Sequence, residues 1–297
     1  MMGSNLLFYS DSLQSVTNGL APTSARINPS LNRSANYQAN VTVNYARSFG
    51  KHTISALVGG EQSQSHSDGI NVYWNDQQVA NITDFWAFDQ NSFTNGGRSV
   101  SESIKQSFFG RFSYDYQKKY LLDAIGRFDG STNFATGHVW GFFPSVGAAW
   151  IMSEENFFKN SSALNFISYL KLKANIGLTG DDRINARLWQ ARYKVDLVNT
   201  GYLFGNSSTS SATLNPQQIP NPEISWQKKR TINIGLESAF FNGRLTFGFD
   251  YFHDFIYDEF DKNLDQNFPM YAGFAAPVIN HEQHNTYGTE FTIGYNN

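Results

Sequence analysis

The stretch TINIGLESAFFNGRLTFGFDY, Thr231 to Tyr251, reads as two alternating runs folded about a polar turn. In the first run Ile232, Ile234 and Leu236 share one face, opposite Thr231, Asn233, Gly235 and Glu237. In the second, Leu245, Phe247, Phe249 and Tyr251 oppose Arg244, Thr246, Gly248 and Asp250. Successive side chains of a strand point to opposite faces, so a period of two predicts extended chain with one apolar and one polar side. The segment FNGR, Phe241 to Arg244, has the length and composition of a tight hairpin turn. An antiparallel pair follows.

The same pattern recurs on either side. Between Leu170 and Leu178 the row Leu170, Leu172, Ala174, Ile176 and Leu178 opposes Lys171, Lys173, Asn175 and Gly177 without an error. From Gln106 to Tyr116, Phe108, Phe112, Tyr114 and Tyr116 oppose Ser107, Phe109, Arg111, Ser113 and Asp115, where only Phe109 interrupts the polar row. Val41 to Tyr45 and Tyr287 to Tyr295 alternate similarly. The patterns predict about nine strands, near residues 36–48, 51–62, 104–116, 119–129, 142–151, 168–178, 225–239, 244–257 and 286–296. A soluble sandwich would alternate in the same way, so the period alone leaves open whether the apolar side meets a core or a lipid.

The connections discriminate better. FGKH (Phe49 to His52), YQKKY (Tyr116 to Tyr120) and FNGR are short, whereas Gln62 to Ser103, Thr179 to Ser225 and Asp258 to Asn285 read as long polar excursions with rings interspersed. Short turns at one end and long loops at the other are the pattern of an outer-membrane barrel, with periplasmic turns and extracellular loops. Loops of that length are uncommon in compact soluble domains. Strands of about ten residues, tilted by roughly 40°, cover the ~25 Å apolar band of such a barrel. Tyr114, Tyr116, Tyr120, Tyr251 and Tyr295 fit its interfacial girdles. Trp150 to Ser168 departs from the pattern and reads as a short helix capped by Ser153, with Glu154 and Glu155 in its first turn.

Composition narrows the function classes. Over 297 residues, 22 Lys and Arg against 25 Asp and Glu give a net charge of −3, which argues against a nucleic-acid or other polyanion partner. Aromatic residues make up 16%, too many for a disordered chain, and the absence of Cys excludes a disulfide scaffold. Mean hydropathy is −0.41 and no run approaches the ~20 apolar residues of a membrane-spanning helix, a test that misses barrels, whose strands are half polar. The N-terminal residues lack the features of an export signal, and the C-terminal GTEFTIGYNN stops inside an alternating run. Both ends, and the odd strand number, lead to the expectation of a partial barrel domain over residues 1–297, without an export signal.

Catalytic and metal-site patterns are missing. The six His include no HExxH, Cys-based zinc sites are impossible, and GxSxG, GxGxxG and P-loop patterns do not occur. His281 and His284 read as solvated loop residues, and Asp181 and Asp182 as a turn. No enzyme and no cofactor are expected.

Four stretches carry a resemblance: GRFSYDYQKKYLLDAIGRFDGSTNF (Gly110 to Phe134), WGFFPSVGAAWIMSEENFF (Trp140 to Phe158), LKLKANIGLTGDD (Leu170 to Asp182) and NPEISWQKKRTINIGLESAFFNGRLTFGFDYFHD (Asn221 to Asp254). In this order and spacing the chain resembles the SusC-like (RagA-like) TonB-dependent outer-membrane transporters of Bacteroidota, over roughly residues 36–297. The resemblance implies an all-β, antiparallel transmembrane barrel segment, part of a roughly 22-stranded barrel with a plugged lumen. It also implies import of oligosaccharides or peptides, a SusD-like surface lipoprotein as lid, the TonB system acting through the plug, and outer-membrane lipids around the wall. The chain amounts to about a third of such a transporter. The loop rings Trp74, Trp86, Trp189 and Tyr202 are the substrate-facing candidates, each with loop packing as the plainer role. Arg111, Arg127, Lys171 and Lys173 are the lumen-facing candidates, with salt bridges to carboxylates such as Asp115, Asp123 or Glu237 as their default. The competing readings are a soluble or secreted β-rich carbohydrate-binding module, and an isolated chain that is inactive because its sheet edges are unpaired.

Overall fold

The computed structural model describes residues 6–8, 26–79, 82, 84–196, 213–261 and 276–296. Its strands are β1 (Leu6–Phe8), β2 (Arg26–Ile27), β3 (Ser30–Phe49), β4 (His52–Asn75), β5 (Thr94–Tyr116), β6 (Tyr120–Ser131), β7 (Trp140–Ile151), β8 (Ile167–Asp181), β9 (Arg192–Asp196), β10 (Thr213–Gln218), β11 (Gln227–Phe240), β12 (Leu245–Asp261) and β13 (Ile279–Tyr295). One sheet runs in the order β1-β3-β4-β5-β6-β7-β8-β11-β12-β13, with β2 on β4, while β9 and β10 pair separately. The nine long strands are those that alternation predicts. Among the described residues the sheet is an open path from β1 to β13.

The chain forms two compact units, residues 1–38 with 63–104, and residues 39–62 with 105–297. In the first unit the expected excursion from Gln62 to Ser103 is corrected: β4 continues to Asn75 and β5 starts at Thr94, so most of it is strand. Gln62 to Asp68 is polar on both faces, which removes the apolar row from the sequence while the backbone ladder still forms. Arg98 Nε lies 2.9 Å from Asp68, and Trp74 packs its own loop, with ring centroids 5.7 Å from Phe85 and 5.2 Å from Phe93. The other excursions shorten as well, because β8 ends at Asp181, β12 ends at Asp261 and β13 starts at Ile279.

In the second unit the registers align the two faces across strands. Leu122, Ala148, Ala174, Ile234 and Tyr251 are successive partners in one row, and Tyr120, Trp150, Leu172, Leu236, Phe249 and Phe291 in the next. These rows face away from any core: Ile234 is 53% exposed and Phe291 65%. The buried cluster lies elsewhere, where Phe134, Phe143, Ile224 and Trp226 meet, joined by Leu178, Ile184, Leu188, Trp189, Phe260 and Val278. Gly141 and Gly180 make room for the Phe143 ring, since a Cβ at either position would collide with it.

The turns carry their own chemistry. Gln117 and Lys118 both have φ of 55°, and Phe241 and Asn242 have φ of 54° and 58°, the left-handed pair that matches the twist of a hairpin. Phe241 is bulky for that region. Its N–H is held by the Phe166 carbonyl at 2.8 Å. Between Ile151 and Ile167 the expected helix is reduced to one turn, α1 (Asn156–Lys159), flanked by 3-10 turns. Ser153 is not its cap: it lies inside the first 3-10 turn, and the residue at the N-cap position is Glu155, whose side chain makes no cap bond. Glu155 points instead to the neighbouring hairpin, accepting from the Tyr120 hydroxyl at 2.6 Å, Lys119 Nζ at 3.0 Å and Trp150 Nε1 at 3.2 Å. Three donors outcompete a cap.

Candidate functional site

The polar face of the second unit is the candidate site. It is a consequence of alternation, since every second residue of β5, β6, β8, β11 and β12 must stand on it, and register then sets the neighbours. Lys173 pairs with Gly235 on β11, and Gly235 with Asp250 on β12. With no side chain between them, the Lys173 ammonium reaches Asp250 at 3.0 Å and Glu237 at 2.9 Å. Lys171 reaches the other oxygen of Glu237 at 3.3 Å. A Cβ on Gly235 would overlap both Asp250 and the Lys173 stem.

Next along the face, Arg111 Nε lies 3.0 Å from both oxygens of Asp123, which also accepts from Ser113 at 3.1 Å. Arg111, Asp123, Lys171 and Lys173 line one depression of about 420 Å³, together with Thr53, Ser55 and Asn175. Three of the four cations singled out in the sequence are thus brought together. Arg127 belongs to a second depression of about 390 Å³ with Lys105, Asp129, Asp182 and Trp226. It bonds Asp129 at 2.7 Å and Ser107 at 2.8 Å, and its guanidinium lies over the Phe109 ring at 5.5 Å. Phe109, the interruption of the polar row, lies against Gly59, where a Cβ would clash with it.

Of the carboxylates named as partners, Asp123 and Glu237 take those roles, while Asp115 accepts from the Lys118 backbone at 2.6 Å. The sequence marks Asp182 only as a turn residue. Its side chain is 6% exposed and accepts from Lys105 at 2.6 Å and Ser131 at 2.7 Å, fastening the chain after β8 to β5 and β6. Nothing in its local sequence marks this, because both partners are remote. Its neighbour Asp181 accepts from the Arg183 backbone N–H and from Arg183 Nε, each at 2.9 Å.

The loop rings are dispersed. Trp74 packs within its hairpin, Trp86 is 54% exposed, and Trp189 is half-buried against the Phe134–Trp226 cluster. Tyr202 lies outside the described residues. Among the described residues no group of acidic and His side chains is arranged to hold a metal ion.

An open antiparallel sheet with exposed apolar rows on one face and a band of ion pairs on the other is the wall of an outer-membrane β-barrel. The family model for the TonB dependent receptor-like β-barrel matches residues 3–296, and the chain belongs to that family. It is 31% identical over 268 residues to the TonB-dependent receptor SusC of Bacteroides thetaiotaomicron, covering 87% of this chain and 24% of that protein. A TonB-dependent receptor of Formosa agariphila is 31% identical over 263 residues, 86% of this chain and 25% of that protein. Among solved structures, the RagAB peptide transporter superposes with a TM-score of 0.76 at 25% identity, covering 90% of this chain and 28% of that one. The chain therefore spans about a quarter of the length of the relatives it matches. Its place is the outer membrane, and its matched relatives are receptors and transporters.

Proposed function

We propose that this chain forms part of the wall of a transporter that imports large nutrients, oligosaccharides or peptides, beneath a SusD-like surface lipoprotein and with energy from TonB. The observation that carries the reading is the self-neutralised polar face. Lys171, Lys173, Glu237 and Asp250, and separately Arg111 with Asp123, satisfy one another across strands, so that the face is hydrophilic yet presents few unpaired charges to a bulky cargo. A water-filled passage favours such a lining, whereas a filled soluble core would have to pay the full cost of burying it. In this reading Arg111, Arg127, Lys171 and Lys173 face the lumen, and Trp74, Trp86, Trp189 and Tyr202 are the loop rings that contact cargo or lid.

The names of the relatives support the class of activity. RagAB is described as a peptide transporter, and the SusC name is that of a TonB-dependent receptor. The experiment is uptake by cells producing the protein, offered a labelled oligosaccharide mixture and a labelled peptide mixture with and without a functional TonB. TonB-dependent accumulation of either label, reduced in Trp86→Ala, is the expected result. Accumulation of neither, with the barrel correctly assembled, would refute the reading.

A further inference from the structure

The periplasmic end of β3 to β6 carries cations on and beside the lipid-facing side that the transport reading leaves unused. The outward row of β3 runs Val41, Val43, Tyr45, Arg47, Phe49, and its apolar members are 72%, 63%, 55% and 47% exposed in that order. Arg47 is exposed as well and makes no ion pair among the described residues. An arginine on a lipid-facing row is tolerated where its guanidinium can reach the headgroup level, and here the turn follows three residues later.

Two further cations stand at that level. Lys51 and Lys118 occupy the tips of neighbouring turns, both exposed and both without an ion pair among the described residues. The Gln117 N–H donates to the Lys51 carbonyl at 2.8 Å, which holds the two tips side by side. Between the tips and Arg47 lies a ring cluster. His52 stacks on Phe49 at 5.5 Å and on Tyr114 at 6.0 Å, approaches Tyr116 at 4.9 Å, and bonds the Tyr114 hydroxyl through Nδ1 at 2.8 Å. That bond leaves Nε2 as the ring's remaining polar atom.

We infer that Arg47, Lys51 and Lys118, with His52 and the flanking tyrosines, form a binding site for the phosphate of an anionic phospholipid in the periplasmic leaflet. Guanidinium and ammonium groups supply the charge and the directed donors that a phosphodiester accepts. The rings hold the glycerol and upper acyl region at the interface, where amphipathic aromatics sit. Two other lysines at this end are already engaged, since Lys119, beside Lys118 in the same turn, is bound to Glu155, and Lys159 on the β7–β8 connection is bound to Glu154.

The protein, produced in outer membranes and extracted in mild detergent, is titrated with phosphatidylglycerol or phosphatidylcholine and analysed by native mass spectrometry. The expected result is one saturable phosphatidylglycerol that the combined variant Arg47→Gln, Lys51→Gln, Lys118→Gln binds about tenfold or more weakly, with phosphatidylcholine unaffected. Arg47→Gln alone, which adds no bulk, is expected to weaken it in the same direction, and Lys159→Gln to leave it unchanged. Equal phosphatidylglycerol binding by the combined variant, an equal loss for phosphatidylcholine, or displacement of the lipid by inorganic phosphate would each overturn the proposal.

Discussion

Lys173 on β8 and Asp250 on β12 are two strands apart, yet their charged groups meet at 3.0 Å, because the residue between them on β11 is Gly235. The glycine is required for its missing Cβ, since its φ is ordinary. Gly235→Ala is expected to separate the pair and to destabilise the folded barrel by about 1–3 kcal/mol, the range for inserting a carbon into a filled site. Urea unfolding of the variant beside Gly235→Ala in a Lys173→Met background measures it. If the ion pair is what the glycine protects, the alanine costs clearly less in the second background.

Asp182 anchors the chain after β8. Removing a buried carboxylate leaves Lys105 and Ser131 without their acceptor, and breaking a buried pair costs about 3–5 kcal/mol. Half-exposure of Lys105 places the expected loss for Asp182→Ala at or below the lower end of that range. Hydrogen exchange should show the loosening in residues 182–191 first, while β11 and β12 stay protected.

Glu155 gives the periplasmic connector an acid-sensitive contact. The Tyr120 hydroxyl first, then Lys119 and Trp150, hold its carboxyl below the usual glutamate range. A depressed folded pKa means that the contact stabilises fully above the unfolded value of roughly 4.3 and is lost as pH falls through the folded value. Exchange protection of residues 152–166 should therefore be flat at neutral pH and fall in acid, below pH ~4. In Glu155→Gln the acid-dependent part should disappear.

Much of the fold was legible from residues alone, and what was missed has a physical pattern. Leu170 to Leu178 could be assigned without structure because one face is lipid and the other is polar, which forces strict alternation. Gln62 to Ser103 could not, because a strand that is polar on both sides carries no apolar row, although β4 and β5 still pair as neighbours. Local capping rules favour Ser153 because they do not see that Tyr120, Lys119 and Trp150 converge on Glu155. On the polar face, Lys171 and Lys173 with Glu237 could be anticipated from adjacent strands, whereas Lys173 with Asp250 needed the register and the gap at Gly235. Asp182 with Lys105, 77 positions apart, leaves no sequence signal at all.

Ile234 and Phe247 stand on the side of the sheet that faces acyl chains. The decisive measurement is the unfolding free energy, in bilayers, of the protein carrying Ile234→Arg or Phe247→Arg, each compared with the parent. A penalty of about 2–4 kcal/mol for Ile234→Arg, in mid-strand near the bilayer midplane, and a smaller one of ~1 kcal/mol for Phe247→Arg, close to the turn, is the predicted result. A penalty close to zero at both positions, as on a surface bathed by water, would contradict it.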